Sequence, residues 1–121
     1  LRAATARAVV AAGLHPTIGL FHANRGNAFA LADDLMEPFR PLVDCSVRSI
    51  VATRGSEVTS EARQILVGLI ATDMPLGEGV TPVSVALMKL ATSLGQSFEV
   101  GKLTLALPDP PDPLTLISLG Q

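Results

Sequence analysis

An all-α fold of about five helices, followed by an extended proline-rich tail, is what this 121-residue sequence predicts. Three observations carry the expectation. Apolar residues recur at spacings of three and four, the period of a helix with one buried face. Glycine and proline fall mostly where helices end and begin. The run Pro108-Asp109-Pro110-Pro111-Asp112-Pro113 is stiff and extended. The expected division is therefore a helical domain over residues 1–107 and a tail over 108–121.

The first helix is expected over 2–12, closed by Gly13 just beyond its last turn. Residues 14–19 form a turn, because Pro16 biases His15 away from the helical region. A short connection ends in Asn24-Arg25-Gly26-Asn27, and Asn27 is placed to cap a second helix from Ala28, with Phe29, Leu31, Ala32, Leu35 and Met36 on its apolar side. Pro38 and Pro41 then interrupt the pattern. Either the helix kinks at Glu37-Pro38, or a third helix starts there and runs to about Thr53 on Leu42, Val43, Val47, Ile50 and Val51. Gly55 ends it. Thr59 or Ser60 caps a helix over 61–71, residues 72–80 read as a connector, and Thr81-Pro82 has the order of an N-cap followed by proline at the first helical position. Val83, Leu87, Leu90, Leu94 and Phe98 line one face of the last helix, and 103–107 has the composition of a short strand.

At this length the chain holds one domain. Hydrophobic residues make up 48% and mean hydropathy is +0.43, rich for a free-standing domain of this size. The first residue, Leu1, already lies within a helical pattern. Both facts lead us to expect a truncated N-terminus and apolar surface that packs against parts not present. No apolar run approaches the ~20 residues needed to span a bilayer, and no leader pattern is present. The lone Cys45 makes no internal disulfide and reads as a small buried hydrophobe. A cytoplasmic protein with no membrane partner is the expectation. Net charge is −2, which does not advertise nucleic-acid binding, yet seven of nine basic residues are arginine, the better fork for phosphate oxygens.

Chemistry concentrates in one stretch, His22-Ala23-Asn24-Arg25 followed by Asp33-Asp34-Leu35-Met36-Glu37-Pro38-Phe39-Arg40. On a helix, Asp34 and Glu37 stand at i and i+3, and Asp33 and Glu37 at i and i+4, so either pair stacks carboxylates on one face. Such like charges repel unless a cation lies between them. One imidazole and two hard oxygens suit Mg²⁺ or Mn²⁺ in an open shell, and zinc is disfavoured because no H-E-x-x-H pair or cysteine cluster exists. The plainer alternative remains: Asp33 solvated near a helix start, Glu37 capping the Pro38 helix, His22 an ordinary half-buried histidine, and His15 a turn residue. No nucleophile elbow or phosphate-binding glycine loop is present.

The run Gly13-Leu14-His15-Pro16-Thr17-Ile18-Gly19-Leu20-Phe21-His22, followed by Leu31-Ala32-Asp33-Asp34-Leu35-Met36-Glu37-Pro38-Phe39-Arg40-Pro41-Leu42-Val43-Asp44, resembles the CRISPR-associated integrase of spacer acquisition, the first protein of the CRISPR-associated series. Residues 55–66 and the stretch from Thr81-Pro82 to Phe98 are similar as well, and the 24–27 loop is most similar to members from type II systems. The resemblance implies a β-rich N-terminal domain joined to a helical C-terminal lobe, so that this chain would be the helical lobe of a larger α+β protein. It implies an endonuclease and integrase that inserts short foreign DNA segments into a CRISPR array by metal-assisted transesterification, in antiviral defence. It implies metal ligation by His22, by Glu37 and by a glutamate on an earlier helix. Asp34 matches an acidic position beside that site, and Asp33 is a further neighbour. The implied partners are double-stranded DNA (prespacer and repeat), a second copy of the chain, and a small dimeric adaptation protein, the second of the series. Arg25 and Arg40 are the candidates for phosphate contacts. Residues 1–21 contain no glutamate, so the expected sphere is incomplete and the chain alone is expected to be inactive. Two other readings stay open: a non-catalytic helical interaction domain using the Leu87-Leu94-Phe98 stripe, and a metal-dependent hydrolase of small substrates.

Overall fold

The computed structural model describes residues 1–20, 26–77 and 79–109. The described residues are mostly helical: α1 (Arg2–Ala11), α2 (Ala30–Met36), α3 (Arg40–Arg54), α4 (Ser60–Gly68) and α5 (Val83–Val100), with 3₁₀ turns at Glu37–Phe39 and Leu69–Ala71. They are not all-α. An antiparallel hairpin of β1 (Asp73–Leu76) and β2 (Gly79–Pro82) occupies the expected connector, with Asp73 opposite Pro82 and Leu76 opposite Gly79. Met74, on β1, is 1% exposed and joins the core, which is what the hairpin contributes to packing.

Local chemistry accounts for the helix ends. Gly13, at φ 78°, closes α1, and the amides of Gly13 and Leu14 donate to the carbonyls of Val10 and Val9 at 3.0 Å each. That pair of bonds satisfies orphan carbonyls through a left-handed residue, which only glycine adopts cheaply. Gly55 (φ 84°) ends α3, and Thr59 caps α4 by accepting the Ala62 amide at 3.1 Å. The Glu37–Phe39 3₁₀ turn resolves the proline interruption: α2 stops at Met36 and α3 restarts at Arg40, with Pro41 harmless in its first turn. Two starts fall later than the sequence suggests. α2 begins at Ala30 because Asn27 spends its side-chain oxygen on the Phe29 amide (2.9 Å), a turn that precedes the helix. α5 begins at Val83 because Thr81 and Pro82 are held in β2, and the Val83 amide donates to the Thr72 carbonyl at 2.9 Å.

The core lies where α1, α2 and the 3₁₀ turn at Phe39 meet α5. Val9, Leu35, Phe39, Leu42, Leu87 and Leu90 are all buried there. On α5 the apolar stripe is internal from Val83 to Leu94, but Phe98 points outward at 62% exposure. Ser97 is buried in its place. Leu87 and Leu94 are thus core, so the three-residue stripe does not form a docking face. On α3, Leu42 and Ile50 are buried while Val47 and Val51 are exposed, and Cys45 is only partly buried.

Ser97 is inside because the chain after Gly101 turns back along α5. Residues 103–109 are not a strand. The Thr104 amide donates to Ser97 Oγ (2.9 Å) and the Ala106 amide to Ser93 Oγ (2.8 Å), each hydroxyl in turn donating to a carbonyl of its own helix. The Asp109 amide reaches the Pro75 carbonyl at 3.3 Å. Ser97→Ala strands the Thr104 amide and is expected to cost about 1–2 kcal/mol. Hydrogen exchange is the check: the Thr104 and Ala106 amides should lose protection before the α5 amides do, and equal protection in the variant would refute the strap.

Candidate functional site

The acidic stretch sits on a short helix wedged between α1 and the core, so its three carboxylates meet three different environments. Asp33 faces α1. Arg2 grips it as a fork, Nε to Oδ1 at 2.7 Å and Nη2 to Oδ2 at 2.9 Å. Asn27 Nδ2 also donates to Asp33 Oδ2 at 2.9 Å. Asp34, one residue and 100° on, is 8% exposed, and its Oδ2 accepts the Leu20 amide. A buried carboxylate needs such donors, because removing a charge from water unpaired is expensive. Glu37 lies in the 3₁₀ turn with its side chain 49% exposed, and Oε1 pairs with Arg40 Nε at 2.9 Å.

The stacked arrangement expected from helical spacing, with carboxylates side by side around a cation, is therefore not what these contacts describe. Asp33 and Asp34 hold neighbouring chain, and Glu37 is the exposed carboxylate of the three. Arg40 pairs with Glu37, and its side chain remains 50% exposed. His15 behaves as a turn residue, its Nδ1 lying 2.9 Å from Thr17 Oγ1. His22 and Arg25 lie outside the described residues.

Among the described residues, no group of three histidine, cysteine, aspartate or glutamate side chains is placed to hold a metal ion. The donor chemistry that is present, a solvent-accessible carboxylate, is of the hard-oxygen kind that suits Mg²⁺ or Mn²⁺. One carboxylate fits such an ion but does not make a site without partners.

Sequence reasoning missed Arg2 and the role of Asn27. Arg2 stands 31 positions before Asp33, and no local pattern links them. Together with Phe29, whose ring centroid lies 4.7 Å from the Arg2 guanidinium, they form a polar cluster beside Asp33. No helix among the described residues is long and apolar enough to cross a membrane.

Two curated relatives are similar to part of the chain. One, from Neisseria meningitidis serogroup C (strain 8013), is 53% identical over 47 residues, which is 39% of this chain and 16% of the relative. The other, from Korarchaeum cryptofilum (strain OPF8), is 42% identical over 60 residues, 50% of this chain and 17% of the relative. Both are named CRISPR-associated endonuclease Cas1, and the chain matches only about a sixth of their length. The family model described as CRISPR associated protein Cas1 matches residues 1–64, the stretch that runs from α1 through the carboxylates and α3 into α4. With more than half of its residues inside that match, the chain belongs to the Cas1 family.

Proposed function

We propose that the chain is the part of a DNA endonuclease and integrase of CRISPR adaptation that supplies two ligands of its metal centre, His22 and Glu37. The family match over the segment that contains both residues carries this reading, and the two relatives' printed names support the nuclease activity. The geometry adds a reason for choosing Glu37. Of the carboxylates on this stretch, Asp33 and Asp34 are committed to Arg2 and to the Leu20 amide, whereas Glu37 is accessible.

His22 and Glu37 would hold Mg²⁺ or Mn²⁺, with a third ligand, a glutamate, supplied from outside residues 1–121. Such an ion activates an attacking oxygen and offsets charge at a phosphodiester. The reaction proposed is transesterification: a DNA 3′-hydroxyl attacks a phosphodiester of the repeat, one P–O bond forms as another breaks, and the leaving 3′-oxygen takes up a proton. Asp34 would hold the chain at Leu20, two positions before His22 in sequence, by accepting the Leu20 amide. Arg40 would exchange its bond to Glu37 for a phosphate oxygen when DNA binds, a contact that positions the duplex without reading sequence. Arg25 is the second candidate for that role. The proposed partners are prespacer and repeat DNA, a second copy of the chain, and the second adaptation protein, in a prokaryotic cytoplasm.

Because only two of three ligands are present, the purified 121-residue chain is expected to bind Mn²⁺ weakly and neither to cut nor to join DNA. A branched-DNA assay with Mn²⁺ is the test. Robust nuclease activity from this chain, abolished by His22→Ala, would overturn the incomplete-site reading.

The alternative, a non-catalytic helical interaction domain, draws on the α3–α4 face. A cavity of about 160 Å³ opens there beside Leu42, Val43, Val47, Leu66 and Leu69. Val47 and Val67 are exposed nearby, at 41% and 68%. That reading predicts unchanged partner binding after His22→Ala.

A further inference from the structure

We propose that the extended chain after α5 is an unpaired strand edge, which pairs antiparallel with the same residues of a second copy of this chain. The proposal stands independently of any metal centre.

The composition of 103–107 predicts a strand, yet the fold gives it no sheet. The segment lies along α5 instead, where the Thr104 amide donates to Ser97 Oγ (2.9 Å) and the Ala106 amide to Ser93 Oγ (2.8 Å). The two spacings match. Serines four positions apart on a helix are offset by ~6 Å along its axis, and two residues of extended chain advance ~6.6 Å. Alternate backbone groups therefore face α5, and those of Leu103, Leu105 and Leu107 face the opposite edge. No described residue hydrogen-bonds to the backbone of these three leucines. A row of unpaired amides and carbonyls is a template for another strand.

A second copy fits this edge because the edge is complementary to itself. Antiparallel pairing centred on Leu105 sets Leu103 opposite the partner's Leu107, and Leu105 opposite its own counterpart. Each of these pairs exchanges both N–H···O bonds. Leu103 and Leu107, now 74% and 53% exposed, become cross-strand neighbours. The same register brings Lys102, at one end of the segment, beside the partner's Asp109 at the other, and twofold symmetry repeats the contact. Parallel pairing would instead set like charges together. Each α5 lies on the inner edge of its own segment, so the two helices stay on far sides of the shared ribbon. The interface is small, which makes the dimer a weak one.

The test combines sedimentation velocity with amide hydrogen exchange of the 121-residue chain over a concentration series. Dimer is expected to grow with concentration. Protection of the Leu103, Leu105 and Leu107 amides should rise with it, while Thr104 and Ala106, already bonded to serine hydroxyls, stay constant. Leu107→Pro removes an outward donor yet suits an extended backbone, and should weaken self-association more than about tenfold. Lys102→Glu and Asp109→Lys should each weaken it about fivefold, and combining the two reversals should restore it. A single monomeric species up to about 1 mM would overturn the proposal. So would protection of the three leucine amides that does not depend on concentration, because the chain's own residues would then cover the edge. Self-association indifferent to Leu107→Pro and to both charge reversals would place the contact between copies elsewhere and overturn it equally.

Discussion

Glu37→Gln is expected to abolish metal-dependent DNA integration by an intact protein that carries this segment, with a loss of more than about a hundredfold. Partners lying behind metal ligands already contribute 10–100-fold, and a ligand itself should exceed them. The substitution keeps shape and one carbonyl oxygen but removes the negative charge. It also removes the ionic bond to Arg40, whose two sides are about equally exposed at 50% and 49%. That surface pair is worth little to stability, so the melting temperature should barely move while activity collapses. The informative control is Asp33→Asn. It weakens the Arg2 fork but leaves Glu37 in place, so it should keep most of the parent's activity. Integration rates on a branched substrate, measured across a Mn²⁺ series, separate the two. Asp33→Asn should integrate near the parent rate throughout the series, and excess metal should not rescue Glu37→Gln. Parent-like integration by Glu37→Gln would sink the assignment.

The contrast among the three carboxylates shows where sequence reasoning stops. Helical spacing alone stacks Glu37 with Asp33 or Asp34, and it is blind to what lies across from each. Asp33 is claimed by an arginine 31 positions away, Asp34 by a backbone amide from the preceding turn, and the helix changes to 3₁₀ form at Glu37 itself. The family resemblance chose Glu37 where spacing could not. Punctuation was far more legible. Gly13, Gly55 and Thr59 each act as the sequence suggests, because a left-handed turn or a side-chain cap is decided by a few adjacent atoms.

The hairpin was illegible for a related reason. Four-residue strands that contain Pro75 and Pro82 carry too few alternating positions to signal strand, and proline normally argues against it. Both prolines are tolerated because a two-stranded sheet consists of edges only. Phe98 shows the same limit from the other side. Its spacing continues the apolar stripe, but the returning chain at 103–109 takes that part of the face through Ser93 and Ser97, turning the buried position from 98 to 97.

Phe39→Ala is the substitution expected to cost the fold most. Phe39 is 0% exposed and is the largest side chain of the turn that joins α2 to α3, within the core cluster with Leu35, Leu42 and Leu87. Truncating a fully buried phenylalanine removes its burial and leaves a void, together about 3–5 kcal/mol. A domain of this kind has only ~5–15 kcal/mol in total, so the variant should sit near its unfolding threshold at 37 °C. Phe39→Leu, which keeps most of the volume, should cost well under half as much. Urea unfolding followed by circular dichroism measures both, and a loss below about 1 kcal/mol in Phe39→Ala would show that the turn is not anchored as described. Function should follow stability here for a geometric reason. Phe39 inward and Glu37 outward are two ends of one three-residue turn, so the side chain that seats the turn in the core also aims the carboxylate at solvent. Phe39→Leu is therefore expected to retain most Mn²⁺ binding. Phe39→Ala should lose it even below its melting temperature.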